Sequence, residues 1–327
     1  MKVLVTGAAG MIGARLVRRL AEDGGLGGRP VDAVLLTDVF APAVPAGAPF
    51  RAETVVADLA DEGVAARLVT GRPDVIFHIA AIPSGGSEAD FEAGYRANLD
   101  GTRGLFDAVR AIGDGYRPRL VWTSSIAVFG APFPPAIPDD FAAAPLTSYG
   151  TQKAIAELLL ADYTRRGFMD GIGIRLPTIC VRPGTPSSAL SIFFPTLLRE
   201  PLAGAEGVLP VGDAVRHWHA SPRAAIGFLV HAATLDGAAV GPRRSLTMPG
   251  VSATVGEQVA ALRKVAGESG VKRIRRAPEP QIAAVVAGWP GNFDPARALA
   301  LGFRADADFE AIIRTHIADE LGGRFAA

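Results

Sequence analysis

Two residues of this sequence, Tyr149 and Lys153, have types and a spacing that could carry acid–base chemistry. They lie four positions apart on a helix predicted over 148–165, so both side chains rise from one helix face, one turn apart. A tyrosine hydroxyl has an ordinary pKa of about 10, and its use as a base near neutral pH requires lowering that pKa by roughly three units, or about 4 kcal/mol. A neighbouring ammonium stabilises the phenolate. We therefore expect Tyr149 to remove the proton of a substrate alcohol, with Lys153 as its helper.

A run of hydroxyl-bearing residues supports this interpretation. Thr123, Ser124 and Ser125 end a strand predicted over 120–123 or follow it directly. Doubly wound α/β folds bind ligands at the carboxyl edge of the sheet, so one of these hydroxyls could hold the reacting oxygen. Taken alone, a tyrosine and a lysine at this spacing are more often a packed ring and a solvated ammonium. The hydroxyl run outweighs that alternative.

Three glycines follow the first predicted strand, Lys2–Thr6, at the start of a predicted helix. At these positions a side chain would block the approach of a pyrophosphate to the backbone amides, and the helix dipole favours its charge. The spacing is GxxGxxG rather than the commoner GxGxxG, and the alternative is a tight turn that holds no ligand. The backbone contacts to a dinucleotide are expected from Gly7, Gly10, Met11, Ile12 and Gly13.

Asp38 closes the second predicted strand, where a carboxylate accepts both hydroxyls of the adenosine ribose and repels a 2′-phosphate. A glycine-rich insertion at 24–28 accounts for its unusual distance from Gly13. The alternative is a surface aspartate at a strand end. We expect NAD rather than NADP as cofactor, with the substrate hydride leaving for the nicotinamide ring. The positive nicotinamide would help Lys153 to lower the pKa of Tyr149.

Short apolar runs alternate with helical stretches along the chain. Such runs are typical of strands buried on both faces, and the alternation predicts an α/β fold, a Rossmann-type doubly wound parallel sheet. The predicted strands cover residues 2–6, 33–37, 54–57, 75–79, 120–123 and 172–176. The predicted helices include residues 14–21, 90–109 and 148–165.

The pattern becomes less regular after a loop signal at residues 182–186. We predict an NAD-binding domain over 1–180 and a smaller C-terminal lobe over 181–327 that mainly binds substrate. At about residues 220–250 the chain is expected to return to the NAD-binding domain. Thr254 with Glu257 forms a capping box that opens a helix through about Ala266. Asp294 followed by Pro295 predicts a further helix start.

Composition excludes several other classes of protein. Lysine plus arginine equals aspartate plus glutamate at 33 each, so no net field attracts nucleic acid. The single cysteine, Cys180, excludes an internal disulfide framework and favours a cytoplasmic location. His217 and His219 lack a third ligand at suitable spacing, so no metal is expected. No run of about 18 apolar residues suggests a membrane span.

In their order along the chain, these motifs resemble the extended short-chain dehydrogenases/reductases, a family that includes sugar-nucleotide epimerases and dehydratases. The resemblance spans nearly the whole length. It implies that Ser125 is the catalytic hydroxyl, Tyr149 the base and Lys153 its helper. It also implies that Asp58 and Leu59 contact adenine. Further dinucleotide contacts are implied for Ala80, Ala81, Asn98, Tyr149, Pro177 and Lys153, the last through the ribose of the cofactor.

Within the family, residues 84–91, 124–130, 148–157 and 175–184 are similar to members that act on small sugar acids. This likeness implies NAD-dependent oxidation of the C2 hydroxyl of a four-carbon sugar acid. Epimerases and dehydratases of the family usually have asparagine in place of Thr178, which counts against a nucleotide-sugar substrate. An epimerase or dehydratase remains the first alternative. A non-catalytic dinucleotide sensor is the second, and the presence of all three catalytic residues counts against it.

A sugar acid carries a carboxylate, which arginine binds through two parallel hydrogen bonds. Arg182 and Arg216 are the candidates, and each could instead form a surface or interlobe salt bridge. Ser84 and Thr178 could bind the remaining hydroxyls, beside Ser125 and Tyr149 at the reacting one. By resemblance we also expect a homodimer that pairs through the helices at 90–109 and 148–165.

Overall fold

The computed structural model describes residues 1–182 and 190–326. Its strands are β1 (Lys2–Thr6), β2 (Gly25–Leu26), β3 (Arg29–Pro30), β4 (Ala33–Asp38), β5 (Arg51–Val56), β6 (Val75–His78), β7 (Arg119–Ser125), β8 (Ile137–Pro138), β9 (Asp170–Leu176), β10 (Thr178–Ile179), β11 (Gly207–Leu209), β12 (Arg216–Ala220), β13 (Ser245–Thr247), β14 (Val251–Thr254), β15 (Ile274–Arg276) and β16 (Phe293–Asp294). Its α-helices are α1 (Met11–Asp23), α2 (Val64–Val69), α3 (Ser84–Ala89), α4 (Phe91–Tyr95), α5 (Gly101–Ile112), α6 (Ser148–Arg165), α7 (Phe193–Leu202), α8 (Pro222–Thr234), α9 (Gly237–Val240), α10 (Val255–Lys272), α11 (Pro280–Val286), α12 (Ala296–Ala300) and α13 (Phe309–Glu320). One π-helical segment covers Arg96–Asp100, and 3₁₀ turns cover Ile126–Val128 and Leu190–Ile192.

Seven strands form the central sheet in the order β13-β9-β7-β6-β1-β4-β5, and all neighbouring strands are parallel. The order runs outward from β1 in both directions. The carboxyl ends of β1, β4 and β6 therefore border the crevice where doubly wound folds bind ligands. The predicted Rossmann-type α/β fold is confirmed.

Both faces of this sheet are covered by helices. On one face α1 packs Leu16, Val17 and Leu20, none more than 1% exposed, into a core that includes alternate residues of β1. On the other face α5 contributes Leu105 and Val109 to a second core. Because successive strand residues point to opposite faces, a strand between two such layers is apolar along its whole length.

The helix predicted over 148–165 is confirmed as α6, and the helical stretch predicted over 90–109 is confirmed too, since the chain is helical without a break from Phe91 to Ile112. That stretch divides into α4, the π-helical segment Arg96–Asp100 and α5. The π-helical segment places Asn98 in the interior, where its side chain bonds the backbone of Ile82. An inserted turn of this kind often marks a functional site.

The capping box predicted at Thr254 and Glu257 is confirmed, since each side chain accepts a hydrogen bond from the other residue's backbone N–H. The helix that it opens has regular geometry up to a kink at Gly267, where φ is 71°. The helix predicted after Pro295 is confirmed as α12.

Outside the central sheet, β10, β12 and β14 form a three-stranded sheet, and α7, α10 and α13 share a separate apolar core. The chain returns to the central sheet at β13, which pairs with β9. Residues 183–186 of the predicted loop lie outside the described residues. Within the described ranges, no helix combines the length and apolarity needed to cross a membrane. No metal-binding group of histidine, cysteine and acidic residues occurs there.

Candidate active site

Ser125 and Tyr149 come together where helix α6 meets the end of strand β7. The Oγ atom of Ser125 accepts a hydrogen bond from the Ala127 backbone N–H at 3.1 Å, which fixes the turn after the strand. Helix α6 is capped by Thr147, whose hydroxyl accepts from the Gly150 backbone N–H at 3.0 Å. Tyr149 therefore lies in the first turn of the helix. Its phenol is held against the Ser125 hydroxyl, and this contact partly offsets the rise that burial causes in the pKa of Tyr149.

Gly150 makes this close approach possible. A Cβ atom at this position would lie only 2.2 Å from the carbonyl oxygen of Ala127, a separation at which neither backbone could stay in place. Only glycine lets the start of α6 come this close to the turn after Ser125. Sequence analysis did not single out Gly150, because the chain that it contacts is distant in sequence.

Lys153 lies on the same face of α6 and is fully buried, with 1% of its surface exposed. Its Nζ atom donates a hydrogen bond to the Thr123 carbonyl oxygen at 2.8 Å and lies 5.7 Å from the centre of the Tyr149 ring. Burial lowers the pKa of Lys153 to about 7, and the carboxylate of Glu157 acts in the opposite direction. The expected proximity of base and helper is present.

The ligand-free protein does not lower the pKa of Tyr149. Burial raises that pKa to about 12, against the opposing effects of the Ser125 hydroxyl and the Arg182 guanidinium. The sequence-based expectation of a pKa near neutrality therefore does not describe the protein alone. Desolvation of the phenolate outweighs the nearby donors, so a further positive charge is needed beside the ring.

The glycine turn is shaped by close backbone contacts. Gly7 has a φ of +74°, and a Cβ atom there would lie 2.6 Å from the backbone nitrogen of Ala80. At Gly13 a Cβ atom would lie 2.1 Å from the carbonyl oxygen of Gly7. Gly10 is exposed at the start of α1, where a Cβ atom would meet only the Gly7 carbonyl oxygen, at 3.3 Å. This bare helix N-terminus fits a dinucleotide pyrophosphate.

A cavity of about 530 Å³ lies at the carboxyl edge of β1, β4 and β6. It brings together most of the predicted cofactor residues, namely Gly7, Gly10, Met11, Ile12, Gly13, Asp38, Asp58, Leu59, Ala80 and Ala81. Its volume and position suit a dinucleotide, since ligand sites of this size typically lie at such switch points. Asn98 and Pro177 do not line it.

Two acidic residues of this cavity are fixed by backbone donors. Asp38 accepts hydrogen bonds from the backbone N–H groups of Ala9, at 2.9 Å, and Phe40, at 3.3 Å. Asp58 accepts from the Ala60 N–H at 2.9 Å and also pairs with a nearby arginine, Arg96. Asp38 is thereby bonded to the glycine turn itself, which holds its carboxylate at the cavity wall.

Asn98 does not line the cavity, but from the protein interior it binds the backbone of Ile82, which does. It is fully buried, and its side chain accepts from the Ile82 N–H at 2.7 Å and donates to the Ile82 carbonyl oxygen at 3.0 Å. It also donates to Gln152 Oε1 at 2.7 Å on helix α6. Asn98 thereby connects the loop that lines the cavity with the helix that carries Tyr149.

The two candidate arginines have different surroundings. Arg216 is 42% exposed, and its guanidinium pairs with Glu257 at 3.3 Å and donates to the Ser252 carbonyl oxygen, also at 3.3 Å. Arg182 instead lies close enough to Tyr149 to act on its pKa. Its backbone carbonyl is held by Arg199 at 3.0 Å. The structure therefore brings Arg182, and not Arg216, to the catalytic residues.

The other predicted substrate and cofactor residues lie near the same edge of the sheet. Ser84 begins α3, directly after the cavity-lining Pro83. Pro177 is buried between β9 and β10. Thr178 follows it, two residues beyond Leu176, the register partner of Ser125.

A buried ion pair behind the site was not predicted. Glu157 follows Lys153 by one turn of α6, and its carboxylate is bonded by Arg175 Nη2 at 2.7 Å and by the Ser124 hydroxyl at 2.6 Å. Arg175 also stacks over the Phe129 ring at 4.8 Å. The only signal in the sequence is the four-residue spacing from Lys153.

Known proteins with similar sequences support the same class of site. A model described as the NAD dependent epimerase/dehydratase family matches residues 3–234. A D-erythronate dehydrogenase of Cupriavidus necator is 44% identical over 323 residues, 98% of each chain. A D-erythronate dehydrogenase of Haemophilus influenzae is 38% identical over 317 residues, 97% of this chain and 99% of the relative.

Solved structures agree on the fold. The crystal structure of a nucleoside-diphosphate-sugar epimerase from Agrobacterium tumefaciens is 60% identical, with a TM-score of 0.96 over 99% of this chain and 95% of that one. An L-threonine dehydrogenase from Clostridium difficile, 20% identical, has a TM-score of 0.83 over 99% of each chain.

The fold, the geometry of the site and the matches to known proteins together define the class of this protein. It is an enzyme with a Rossmann fold that uses a nicotinamide dinucleotide. The chain belongs to the NAD dependent epimerase/dehydratase family, which confirms the resemblance to the extended short-chain dehydrogenases/reductases. The family match and the two full-length relatives together support an NAD-dependent dehydrogenase.

Proposed function

We propose that this enzyme oxidises the C2 hydroxyl of D-erythronate to 2-dehydro-D-erythronate, with NAD as hydride acceptor. The names of the two full-length relatives support the substrate, and the position of Tyr149 next to Ser125 and Lys153 at the end of β7 supports the reaction. The proposal assigns Ser125, Tyr149 and Lys153 to catalysis and Arg182 to the substrate carboxylate.

The environment of Arg182 is the observation that carries the substrate class. Its Nε atom is buried without a hydrogen-bond partner, and no carboxylate pairs with its guanidinium among the residues that the structure describes. A buried cation without a counter-charge is costly, and a bound anion would offset that cost. Because Arg182 acts on Tyr149, an anion bound to it would lie beside the base. A carboxylate at C1 next to a reacting C2 has this geometry.

The chain's own residues account for the proton transfer. Ser125 holds the substrate oxygen, and Tyr149 takes its proton as the bond to the C2 hydrogen breaks. Lys153, fixed by the Thr123 carbonyl 5.7 Å from the centre of the Tyr149 ring, would in its protonated form stabilise the phenolate. NAD, when bound, accepts the hydride from C2. The pKa of Tyr149 in the ligand-free protein keeps the phenol protonated until cofactor and substrate are present.

The residues that would hold the cofactor fit NAD better than NADP. The bare turn at Gly7, Gly10 and Gly13 would receive the pyrophosphate, and Asp38 would accept the ribose hydroxyls. A 2′-phosphate would meet the Asp38 carboxylate at close range. We therefore propose a preference for NAD, set mainly by charge repulsion at this position.

A second candidate function is a sugar-nucleotide epimerase or dehydratase, favoured by the 60% identical structure from Agrobacterium tumefaciens. Such an enzyme would use the same tyrosine and lysine but would retain its cofactor through each turnover. Thr178, in place of the usual asparagine, counts against a nucleotide sugar. A sensor without catalysis is disfavoured because the catalytic side chains are assembled.

One assay separates these functions. Purified protein is mixed with NAD and D-erythronate, and the appearance of free NADH is followed. We expect NADH to accumulate in proportion to the acid consumed, and more slowly with NADP. An epimerase would release no NADH, and a sensor would bind NAD without turnover. If no four-carbon sugar acid gives NADH, the proposed function is wrong.

We also propose that the protein is a homodimer paired through α4, α5 and α6. Phe91 on α4 is 55% exposed and Leu158 on α6 is 74% exposed, which is unusual for large apolar side chains. Light scattering after size exclusion should give twice the chain mass, and Leu158→Asp should shift the mass towards the monomer.

A further inference from the structure

Two consecutive residues of strand β7 hold the ammonium of Lys153. Its Nζ atom donates to the Thr123 carbonyl oxygen at 2.8 Å and lies over the Trp122 ring, 4.8 Å from the ring centre. Glu157, the acidic residue one turn further along α6, pairs with Arg175 instead. A buried cation without a close counter-charge is costly, and the negative face of an aromatic ring offsets part of that cost.

The Trp122 ring is fixed by the core on one face of the central sheet. It is fully buried and belongs to the core that also contains Leu105 of α5 and Leu160 of α6. Successive side chains of a strand point to opposite faces of the sheet, so this ring stands on the face that α6 covers. A ring packed at core density keeps one position, and its face therefore stays towards Lys153.

The indole N–H of Trp122 is buried and has no hydrogen-bond partner among the residues that the structure describes. An unpaired buried donor costs free energy, and a phenylalanine at this position would avoid that cost. Among aromatic side chains, however, tryptophan attracts a cation most strongly through its ring face. The attraction between the indole and the Lys153 ammonium explains why a ring with an unpaired donor occupies this position.

We propose that Trp122 is a positioning residue, whose indole face holds the Lys153 ammonium beside Tyr149 and favours its charged form. The proposal rests on the proposed function, in which a charged Lys153 stabilises the phenolate of Tyr149. A ring face attracts an ammonium but gives a neutral amine no comparable attraction, so the contact selects the protonated lysine. Because Nζ lies 5.7 Å from the centre of the Tyr149 ring, the charge is retained where the phenol reacts.

The other ionisable groups around Lys153 titrate in other ranges. Burial lowers the pKa of His78, on the neighbouring strand β6, to about 3 and raises the pKa of Tyr149 to about 12. The carboxylate of Glu157 is held by Arg175. Burial lowers the pKa of Lys153 itself to about 7, so a titration near neutral pH in this part of the site reports on Lys153.

The composition of the chain allows this titration to be measured directly. The sequence has only four lysines, Lys2, Lys153, Lys264 and Lys272, and Lys153 alone is buried. Carbon-13 labelling at the lysine ε carbon gives one NMR signal per residue, and Lys153→Met identifies the signal of Lys153. Its chemical shift is followed against pH in the ligand-free protein. The signals of the three exposed lysines are the internal reference and should titrate identically in every sample.

Fluorinated tryptophan tests the ring face with little change of shape. Tryptophan that carries one, two or three ring fluorines is incorporated in place of the three native tryptophans. Each fluorine withdraws electron density from the ring face and weakens its attraction for a cation. We expect the titration midpoint of Lys153 to fall stepwise with the number of fluorines, by about one pH unit in total.

The matched control is Trp122→Phe, in which the same fluorination alters only Trp218 and Trp289 and should leave the midpoint of Lys153 in place. Fluorinated Trp218→Phe and Trp289→Phe should instead keep the full stepwise fall, so the effect can still be located if Trp122→Phe does not fold. A midpoint that ignores fluorination in the native sequence would overturn the proposal. So would an equal fall in Trp122→Phe, and either result would leave Trp122 as a core residue only.

Kinetics of the same samples connect the titration to catalysis. The kcat/KM for D-erythronate near neutral pH should fall with the number of fluorines in the native sequence and stay constant in Trp122→Phe. A kcat/KM that stays constant in the native sequence while the midpoint falls would overturn the role of Trp122 in positioning the catalytic lysine.

The two proposals fail in different ways, because the lysine titration needs neither substrate nor turnover. If no four-carbon acid yields NADH, the proposed function is wrong, while the titration still decides whether Trp122 holds the ammonium. If D-erythronate is oxidised but fluorination leaves the midpoint of Lys153 unchanged, the proposed function stands and the role of Trp122 is wrong.

Discussion

Arg175 holds the carboxylate of Glu157 with two nitrogen atoms, Nε at 2.9 Å from Oε1 and Nη2 at 2.7 Å from Oε2. Both side chains are about nine-tenths buried or more. The pair connects α6, one turn after Lys153, to strand β9, the second strand from one edge of the central sheet. Because the same carboxylate raises the pKa of Lys153, the pair both anchors the catalytic helix and acts on its charge.

Glu157→Gln should destabilise the protein strongly, since it removes the nearer of the two carboxylates beside the buried Arg175 and leaves only Asp139, at 3.9 Å. We expect the free energy of unfolding to fall by about 3–5 kcal/mol, as measured by urea denaturation. The control is Glu268→Gln in the exposed pair with Arg263, which should change it by less than about 1 kcal/mol. Equal effects of the two variants would contradict an anchoring role for Glu157.

The lowered pKa of Lys153 makes the stability of the ligand-free protein depend on pH. The pKa is about 7 in the folded protein against an ordinary 10.5, so between these values the unfolded chain binds a proton that the folded chain does not. Stability therefore rises with pH across this window, and the penalty for burying the ammonium is fully present only below about pH 7.

Lys153→Met tests this dependence. The variant should lose the rise in the free energy of unfolding between pH 7 and pH 9 that the wild-type protein has. Urea denaturation at both pH values, without cofactor, measures it. If wild type and variant depend on pH in the same way, Lys153 is not the group responsible.

Tyr149→Phe should reduce kcat by about a thousandfold or more and leave the Kd for NAD almost unchanged. In the proposed mechanism the phenol transfers the substrate proton, whereas the cofactor cavity is lined by other residues. Tyr116→Phe is the control, because its hydroxyl donates only to the Pro73 carbonyl, away from the site. Steady-state kinetics and an NAD titration measure both effects, and substantial activity of Tyr149→Phe would refute the assignment of the base.

The pattern of apolar runs was sufficient to predict helix α6 and six of the seven strands of the central sheet, all but β13, because periodicity and caps act locally. Long-range contacts were not predictable in the same way. Neither the contact of Gly150 with Ala127 nor the pairing of Glu157 with Arg175 leaves a signal within one segment. Each depends on how α6 docks on the sheet.

The π-helical segment at Asn98 has a similar explanation. Its sequence predicts the continuous helix that is present but not the π turn within it, in which Asn98 bonds to Ile82 and Gln152. Tertiary contacts overrode local propensity at this position.

The sequence could not decide whether Arg182 or Arg216 is the better candidate to bind the substrate carboxylate. The burial and the partners of each arginine depend on which distant elements cover the strand beside it.

Asp38→Asn should narrow the preference for NAD over NADP. Asparagine keeps an oxygen that can accept from the Ala9 N–H, so the glycine turn should stay intact, while the charge that repels a 2′-phosphate is removed. We expect the ratio of kcat/KM for the two cofactors to fall by about tenfold or more. A ratio that stays at the wild-type value would mean that Asp38 does not face the ribose.

Arg182→Gln should weaken binding of the sugar acid far more than Arg216→Gln does. The Arg182 guanidinium has no carboxylate partner in the described chain and acts on Tyr149, whereas the Arg216 guanidinium is already paired with Glu257 at the surface. We expect the KM for D-erythronate to rise at least about tenfold in the first variant, with the Kd for NAD unchanged, and less than about twofold in the second. The amide of D-erythronate, a neutral substrate of nearly the same shape, is the control for charge. With this amide, the KM values of the wild-type enzyme and of Arg182→Gln should differ much less than they do with the acid. If Arg216→Gln instead causes the larger loss, the carboxylate binds on the β12 side of the cleft and the assignment of Arg182 is wrong.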